Sequence, residues 1–186
     1  MRRWTALLLL AVGGVAAAEG SDSLTNLQRS FEMPAHRSLQ NTIRDGENAL
    51  IPFETDGCSG GMSWSWQLAA DLFPGFEASQ GQRPPWENCC VTHDIAYHNA
   101  GGAADAESSF DARLAADTAL EQCVRAQGAS DAKSLAGLYS VSEDQILRAY
   151  DLISQSMYNA VRLGGGPCSG LPWRWGFGYK GCVPGL

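Results

Sequence analysis

Two adjacent cysteines, Cys89 and Cys90, place the strongest constraint on how this chain can fold. Neighbouring cysteines seldom pair with each other, so we expect each to bond to a different part of the fold. They begin the sequence Cys-Cys-Val-Thr-His-Asp, in which His93 can act as a general base and Asp94 can bind a metal ion. Disulfides to two parts of the fold would hold this histidine and this carboxylate in place, as a small exported hydrolase with a small hydrophobic core would need.

The first residues have the pattern of a secretory signal peptide. A basic start precedes an apolar run over residues 6–12, and small residues at 16–18 suit cleavage. The alternative is a membrane anchor, but the uncharged run, residues 4–18, is shorter than the roughly 18 apolar residues that a span needs. We therefore expect residues 1–18 to be a signal peptide and the protein to be secreted.

Charge and cysteine content narrow the class of protein. The formal net charge of −7 argues against nucleic acid as a partner and against simple electrostatic capture by an anionic membrane. All six cysteines follow the predicted signal peptide, and an even number in an exported chain indicates disulfides. Zinc binding is the weaker alternative, because no C-x-x-C pair occurs. Spacing alone leaves the cysteine pairing open.

The rest of the chain divides into a leader and one mainly helical domain. Residues 19–49 are polar with weak periodicity, which predicts an extended or partly helical leader, and residues 50–186 form the domain. Gly128 is the expected stop of the second helix, and Ser142 with Gln145 resembles a capping box. Apolar spacing and these signals together predict helices over residues 86–98, 106–126 and 142–163.

The helices and the tail carry different apolar patterns. The second helix is expected to bury Phe110, Leu114, Ala115, Thr118 and Cys123. The third is expected to bury Ile146, Tyr150, Ile153, Met157 and Val161. Aromatic residues at alternate positions of the tail predict an extended segment with one aromatic face, formed by Trp173, Trp175, Phe177 and Tyr179. Tryptophans here and at positions 64 and 66 could border a lipid-facing site or fill a small core, and both interpretations stay open.

A second acidic residue is a candidate partner for the histidine. On the predicted first helix, His93 lies one turn after Cys89, and Asp117 precedes Cys123 on the second helix. If Cys89 bonds Cys123, the two helices run antiparallel and His93 and Asp117 lie within a turn of each other. The carboxylate could then hold the imidazole in one tautomer. Without that disulfide, a solvated Asp117 is the better interpretation.

Residues 56–61, with the sequence Asp-Gly-Cys-Ser-Gly-Gly, form a second candidate element. Three glycines in six residues allow a tight backbone that turns carbonyl groups inward. Calcium prefers several hard oxygens, including carbonyls and carboxylates, so this loop and Asp94 together suggest a calcium site. Taken alone, the loop is more simply a tight turn.

The combination of these motifs resembles a known family. Residues 89–97, Cys-Cys-Val-Thr-His-Asp-Ile-Ala-Tyr, are similar to the active-site helix of secreted phospholipase A2. In that family a glycine-rich calcium loop containing Gly-Cys precedes the helix, as at Gly57 and Cys58. A later D-x5-C on an antiparallel helix matches Asp117 and Cys123. The resemblance covers roughly residues 53–123.

The resemblance implies a fold, a reaction and a set of roles. The fold would be mainly α, with a disulfide-linked antiparallel helix pair and a calcium loop. His93 would deprotonate water, with Asp117 and Tyr97 orienting it as the other catalytic residues. Ca²⁺ would be bound by Asp94, by the carbonyls of Gly57, Ser59 and Gly61, and by Asp56 if its side chain takes part. The implied disulfides are Cys58–Cys90 and Cys89–Cys123, which leaves Cys168–Cys182.

The implied activity is calcium-dependent hydrolysis of the sn-2 ester of glycerophospholipids at a membrane or micelle surface, giving a lysophospholipid and a fatty acid. The alternative from another class is a catalytically silent phospholipase A2-like binding protein or toxin. Such proteins commonly lose the histidine or the metal aspartate, and both are present here. The loop departs from the usual family pattern, and the short separation of His93 from Asp117 favours a compact variant without the inserted β-hairpin.

Overall fold

The structure, a computed structural model, describes residues 15–45, 49–55, 57–58, 66–68, 71–72 and 81–182, with side chains from residue 23 onward. These residues are mainly helical and contain no β-strand, so the predicted helical class is confirmed. None of their helices combines the length and hydropathy that a membrane crossing requires. Most of the predicted signal peptide, residues 1–14, lies outside the described residues.

The segment expected to be a leader forms a long helix, α1, over Val15–Arg44. The helix continues through Pro34, although proline lacks the N–H that an interior position normally donates. Its buried side chains, which recur at helical spacing, are Met33, His36, Leu39 and Gln40. The helix contacts the long helix that begins at Ala106. The segment before the predicted domain is therefore packed against it.

The predicted first helix is confirmed to within one residue as α2, Glu87–His98. A short 3₁₀ turn over Ala100–Gly102 follows, and Gly101 adopts a φ of 65° there. A Cβ at this position would lie 2.7 Å from the Cβ of Ala112, so only glycine allows this close approach. The turn reverses the chain, so that the next helix runs antiparallel to α2 and bonds to it at Cys89–Cys123 and at Tyr97–Asp117.

The next helix, α3, spans Ala106–Tyr139 and begins with a capping box between Asp105 and Ser108. Its start was predicted correctly, but the predicted end near Gly128 is wrong. Gly128 is a packing residue, because a Cβ there would lie 2.3 Å from the ring of Tyr150. The glycine lets two helices approach closely, and tertiary packing outweighs its low helix propensity.

The apolar stripe predicted for α3 is also wrong in part. Phe110 is buried, but Ala115 and Cys123 are exposed, and Leu114 and Thr118 are only half-buried. The buried face lies one residue away and carries two charged side chains, Arg113 and Asp117. The predicted stripe contains no charged position, and so it differs from the face that is buried.

The last helix, α4, covers Glu143–Gly164 and packs antiparallel against α3. The predicted capping box is present, since Ser142 accepts from the backbone N–H of Gln145 while the Gln145 side chain accepts from Ser142. The predicted stripe is confirmed: its members, all buried or half-buried against the core, are Ile146, Tyr150, Ile153, Met157 and Val161.

The tail is a series of turns, and the predicted extended segment is wrong. Gly176, at a φ of 74°, redirects the backbone, and its N–H donates to the carbonyl of Tyr97 at 2.6 Å. The Gly178 N–H donates to the carbonyl of His98 at 3.0 Å. The tail therefore covers the carboxyl end of α2, with Trp175 fully buried beneath it.

Three disulfides connect these elements. Two are those that the resemblance implies, Cys58–Cys90 and Cys89–Cys123, and the third is the pair that remains, Cys168–Cys182. Cys90 and Cys89 join α2 to the loop before it and to α3, as expected for neighbours with different partners. Three disulfides indicate an oxidising compartment.

Candidate active site

Helix α2 carries three of the predicted site residues on its buried side. His93, Asp94 and Tyr97 are all less than a tenth exposed. Residues one turn apart share a helix face, so His93 and Tyr97 stack with ring centroids 4.1 Å apart. The disulfides at the start of the helix fix its position between the loop and α3. The helix therefore holds an imidazole in a defined and largely dry environment.

Asp117 of α3 accepts two hydrogen bonds on one carboxylate oxygen. Its Oδ1 lies 2.9 Å from Nε2 of His93 and 2.7 Å from the hydroxyl of Tyr97. Because a carboxylate accepts, this contact places the proton of a neutral imidazole on Nε2 and leaves the Nδ1 lone pair available. The expected proximity of His93 and Asp117 is thus present.

The protonation of His93 follows from two opposing effects. Burial lowers the pKa of His93, but hydrogen bonding and charge from Asp117 and Asp94 outweigh burial and raise this pKa above its ordinary value. The carboxylates stabilise the imidazolium, which is what a base requires after it has taken a proton. For Tyr97, burial acts in the other direction and raises the pKa well above its usual range. Its hydroxyl therefore stays protonated and donates to Asp117.

Three further charged residues complete the network, and none of them was predicted from the sequence. Arg162 of α4 donates from Nη1 to Oδ2 of Asp117 at 2.9 Å. Arg113 of α3 donates from Nε to the Tyr97 hydroxyl at 3.2 Å. Both guanidinium groups also bond to the carboxylate of Glu32 on α1. Four helices therefore meet at one buried cluster of charges.

One sequence signal could have identified part of this cluster. Arg113 lies four residues before Asp117 and shares a face with Phe110 and Leu120, so a charge pair occurs within an apolar stripe. Buried charges are expensive unless they are paired, which makes such a stripe a marker of a buried network. Glu32 had no comparable signal, because the two arginines that it joins lie far away in the sequence.

The proposed calcium ligands are only partly within the described residues. Asp94 is buried and its Oδ2 accepts from the hydroxyl of Thr55 at 2.7 Å, while the same hydroxyl lies 3.4 Å from the Gly57 carbonyl. Asp56, Ser59 and Gly61 lie outside the described residues. Within the described part, no three His, Cys, Asp or Glu side chains are grouped for a metal.

The oxygen atoms of the described loop residues and of Asp94 are of the kind that calcium binds. Asp94 supplies a carboxylate, and the loop backbone at Gly57, held there by the Cys58–Cys90 disulfide, supplies a carbonyl beside it. Calcium takes carboxylate and backbone oxygens of this kind and tolerates irregular geometry. Gly57 has a φ of 88°, a conformation that suits glycine and lets the loop turn at this point.

A cavity of about 320 Å³ opens beside these residues. His93 and Asp94 form its polar end, and its other walls are mostly apolar side chains of α3, α4 and the tail: Leu120, Met157, Ala160, Val161 and Trp173. A mostly apolar pocket with a few polar groups at one end is typical of a ligand site for a molecule with an apolar portion.

The tryptophans divide between the two interpretations left open by the sequence. Trp175 is fully buried and donates from Nε1 to Ser109, so it packs in the core. Trp66 is half-buried and packs edge-on against Trp86, with ring centroids 5.6 Å apart. Trp173 is half-buried and lines the cavity. Trp64 lies outside the described residues.

No protein-family model, curated protein or solved structure matches this chain at a significant level. The residues of the site and their geometry therefore carry the functional argument.

Proposed function

We propose that the protein is a secreted, calcium-dependent phospholipase A2, which hydrolyses the sn-2 ester of glycerophospholipids. The observation that carries the proposal is the 2.9 Å contact between Nε2 of His93 and Asp117, with Nδ1 of the same ring left to act beside Asp94. The motif over residues 89–97 and the apolar cavity support the same reaction. The three disulfides are consistent with export.

In the proposed reaction, Nδ1 of His93 accepts a proton from a water molecule. The water oxygen forms a bond to the carbonyl carbon of the ester, and the imidazolium is stabilised by Asp117. When the ester C–O bond breaks, His93 returns the proton to the departing lysophospholipid oxygen, and the fatty acid is released. Asp94 with the carbonyls of residues 57, 59 and 61 would hold calcium, which supplies positive charge for the developing oxyanion.

The apolar cavity supports a lipid substrate over a polar ester. Its apolar walls can shield an acyl chain from water, and its polar end contains the proposed base. Burial of apolar surface would contribute about 0.8 kcal/mol for each methylene. Trp173, whose ring is amphipathic, borders the same cavity and suits a position near a membrane surface.

The first test measures fatty-acid release from phosphatidylcholine vesicles labelled at the sn-2 position, with calcium and with a calcium chelator. We expect release with calcium only, and its loss in His93→Gln. The matched control is His98→Gln on the same helix, whose buried ring packs between Phe53 and Phe177 away from the cavity. Thermal unfolding of both variants checks that each is folded.

Two results would contradict the proposal. Release that persists in folded His93→Gln would exclude this histidine as the base. No release by the folded wild-type protein in calcium would favour the alternative of a catalytically silent binding protein, in which the same cavity holds a lipid without hydrolysing it.

A further inference from the structure

The two oxygens of the Asp117 carboxylate have different partners. Oδ1 accepts from His93 and Tyr97, whereas Oδ2 accepts from Nη1 of Arg162 at 2.9 Å. The side chain of Asp117 is fully buried, so protein groups and not water determine its orientation. Arg162 therefore fixes which oxygen faces the imidazole.

Arg162 is itself held from the other side by the first helix. Its Nη2 donates to Oε1 of Glu32 at 2.6 Å, while Oε2 of Glu32 accepts from Arg113. Arg113 is anchored in addition by the carbonyls of residues 161 and 162, at 2.8 and 2.9 Å. Glu32 thus bridges two guanidinium groups that are both less than a tenth exposed.

The charges of this cluster balance only when Glu32 is present. Two buried guanidinium groups face two carboxylates, Glu32 and Asp117. If Glu32 were neutral, Asp117 alone would face both cations, and Nε of Arg113 already lies 4.0 Å from its Oδ2. Unpaired buried charges are strongly unfavourable, so the carboxylate would be drawn towards Arg113. That movement would take Oδ1 away from His93.

We propose that Glu32 and Arg162 are positioning residues for Asp117, which makes α1 a functional part of the active site. The inference rests on the proposed function for its kinetic consequence, but the geometric part stands on the contacts themselves. A chain trimmed past residue 32 would lose the bridge, so the amino-terminal boundary of the active protein lies before Glu32.

The kinetic test compares Glu32→Gln with Arg29→Gln. The glutamine has almost the shape of the glutamate but lacks its charge. Arg29 also joins α1 to α3, through ion pairs with Glu107 and Asp111 and by lying over the ring of Phe110. Neither ion pair involves a member of the buried charge cluster. On monomeric short-chain phosphatidylcholine with calcium, we expect Glu32→Gln to lower kcat by up to about 100-fold with little change in KM. Arg29→Gln should leave both constants unchanged.

A second readout does not depend on activity. The Nε2 proton of His93, bonded to Asp117, should give a slowly exchanging downfield signal in the proton NMR spectrum of the wild-type protein. We expect this signal to shift or disappear in Glu32→Gln and to persist in Arg29→Gln. If the protein hydrolyses no lipid but the signal responds in this way, the proposed function fails and the positioning role stands.

Arg162→Lys is a second variant that tests the same proposal if Glu32→Gln does not fold. Lysine keeps the positive charge but lacks the planar fork that reaches both carboxylates, so it should reproduce the loss in kcat and the change in the His93 signal. The double variant with Glu32→Gln should lose no more than the larger single effect, since both act through Asp117. The proposal is overturned if folded Glu32→Gln or Arg162→Lys matches Arg29→Gln in kcat and in the His93 signal.

Discussion

The two halves of α3 bury very different residues. Its first half, residues 106–123, buries Arg113 and Asp117 among Ser109, Phe110 and Leu120. Its second half, residues 124–139, buries only small or apolar residues, namely Val124, Gly128, Ala132 and Ala136. The first half pairs with α1 through Arg113 and with α2 through Asp117, whereas the second packs against α4, where Gly128 meets Tyr150.

The first half of α3 therefore belongs to the proposed site, and the second half belongs to the packed core. Buried ion pairs add little net stability compared with apolar residues of similar volume, so stability alone does not explain the first half. Its charged groups instead converge on His93 and Tyr97. The second half has no such convergence and resembles ordinary close packing of helices, where small residues allow the backbones to approach. Substitutions in the first half should therefore affect activity, and substitutions in the second half should affect stability.

The largest effect is expected from Asp117→Asn in the first half. The amide must direct its NH₂ group either at His93 and Tyr97 or at Arg162, and all three are donors in this network. One contact becomes a clash of donors, and the imidazole loses its orienting carboxylate. By analogy with the aspartate of a catalytic triad, we expect kcat for vesicle hydrolysis to fall by about 10⁴-fold.

The matched control is Asp131→Asn in the second half, where the carboxylate accepts from Gln127 at 2.8 Å. It should retain wild-type activity. Comparable losses in the two variants, with both proteins folded, would erase the distinction between the halves. The measurement is the initial rate of fatty-acid release, with circular dichroism as the check of folding.

A smaller effect, on stability alone, is expected from Gly128→Ala. The new Cβ would lie 2.3 Å from the Tyr150 ring, and overpacking of this kind typically costs about 1–3 kcal/mol of unfolding free energy. Gly137→Ala on the same helix is the control, because its Cβ would meet no atom within 4 Å. That change should stabilise the protein by roughly 0.5–1 kcal/mol, since alanine is the better helix former.

Urea unfolding would measure both changes. The activity of folded Gly128→Ala should remain near that of the wild type, because the proposed base lies against the other half of the helix. If Gly128→Ala unfolds no more easily than the wild type, Tyr150 can move aside. If the variant is fully folded but has lost activity, the second half of α3 is linked to the site.

The sequence predicted the parts of this molecule that local signals control. The cysteine pair, the histidine spacing and the capping box at Ser142 led to α2, to the start of α3 and to α4. The proximity of His93 and Asp117 also followed from helical geometry, once the resemblance implied the Cys89–Cys123 disulfide that sets the register. Each of these inferences used residues that are close in the sequence or joined by a short register argument.

Features set by distant contacts were not predicted. Gly128 has the local signal of a helix stop, and only its contact with Tyr150 explains why α3 continues. Glu32 lies in a polar segment without a clear period, and its role depends on Arg113 and Arg162. Alternation in the tail indicated a strand, but the chain turns at Gly176 to bond with the end of α2.

The smallest effects concern pH, and two buried groups, one beside each half of α3, should respond at opposite ends of the range. His36 lies against the first half, near Glu32, Arg113 and Arg162. Burial lowers the pKa of His36, so the folded protein favours the neutral ring; its stabilisation is complete above pH 6.5 and lost as pH falls. The pKa of Glu32 is also lowered, because its bonds to His36 and the two arginines outweigh burial, which extends the loss below pH 4.5.

Tyr150 of α4, which packs on the second half of α3, makes the stability depend on alkaline pH instead. Burial raises the pKa of this residue to about 12, so its protonated form stabilises the fold until pH rises above 10, where the unfolded chain ionises first. Thermal unfolding should show that His36→Gln weakens the acid dependence alone and Tyr150→Phe the alkaline dependence alone. If one variant changes both limbs, the two halves of α3 are coupled, and the separation argued from their buried residues does not hold.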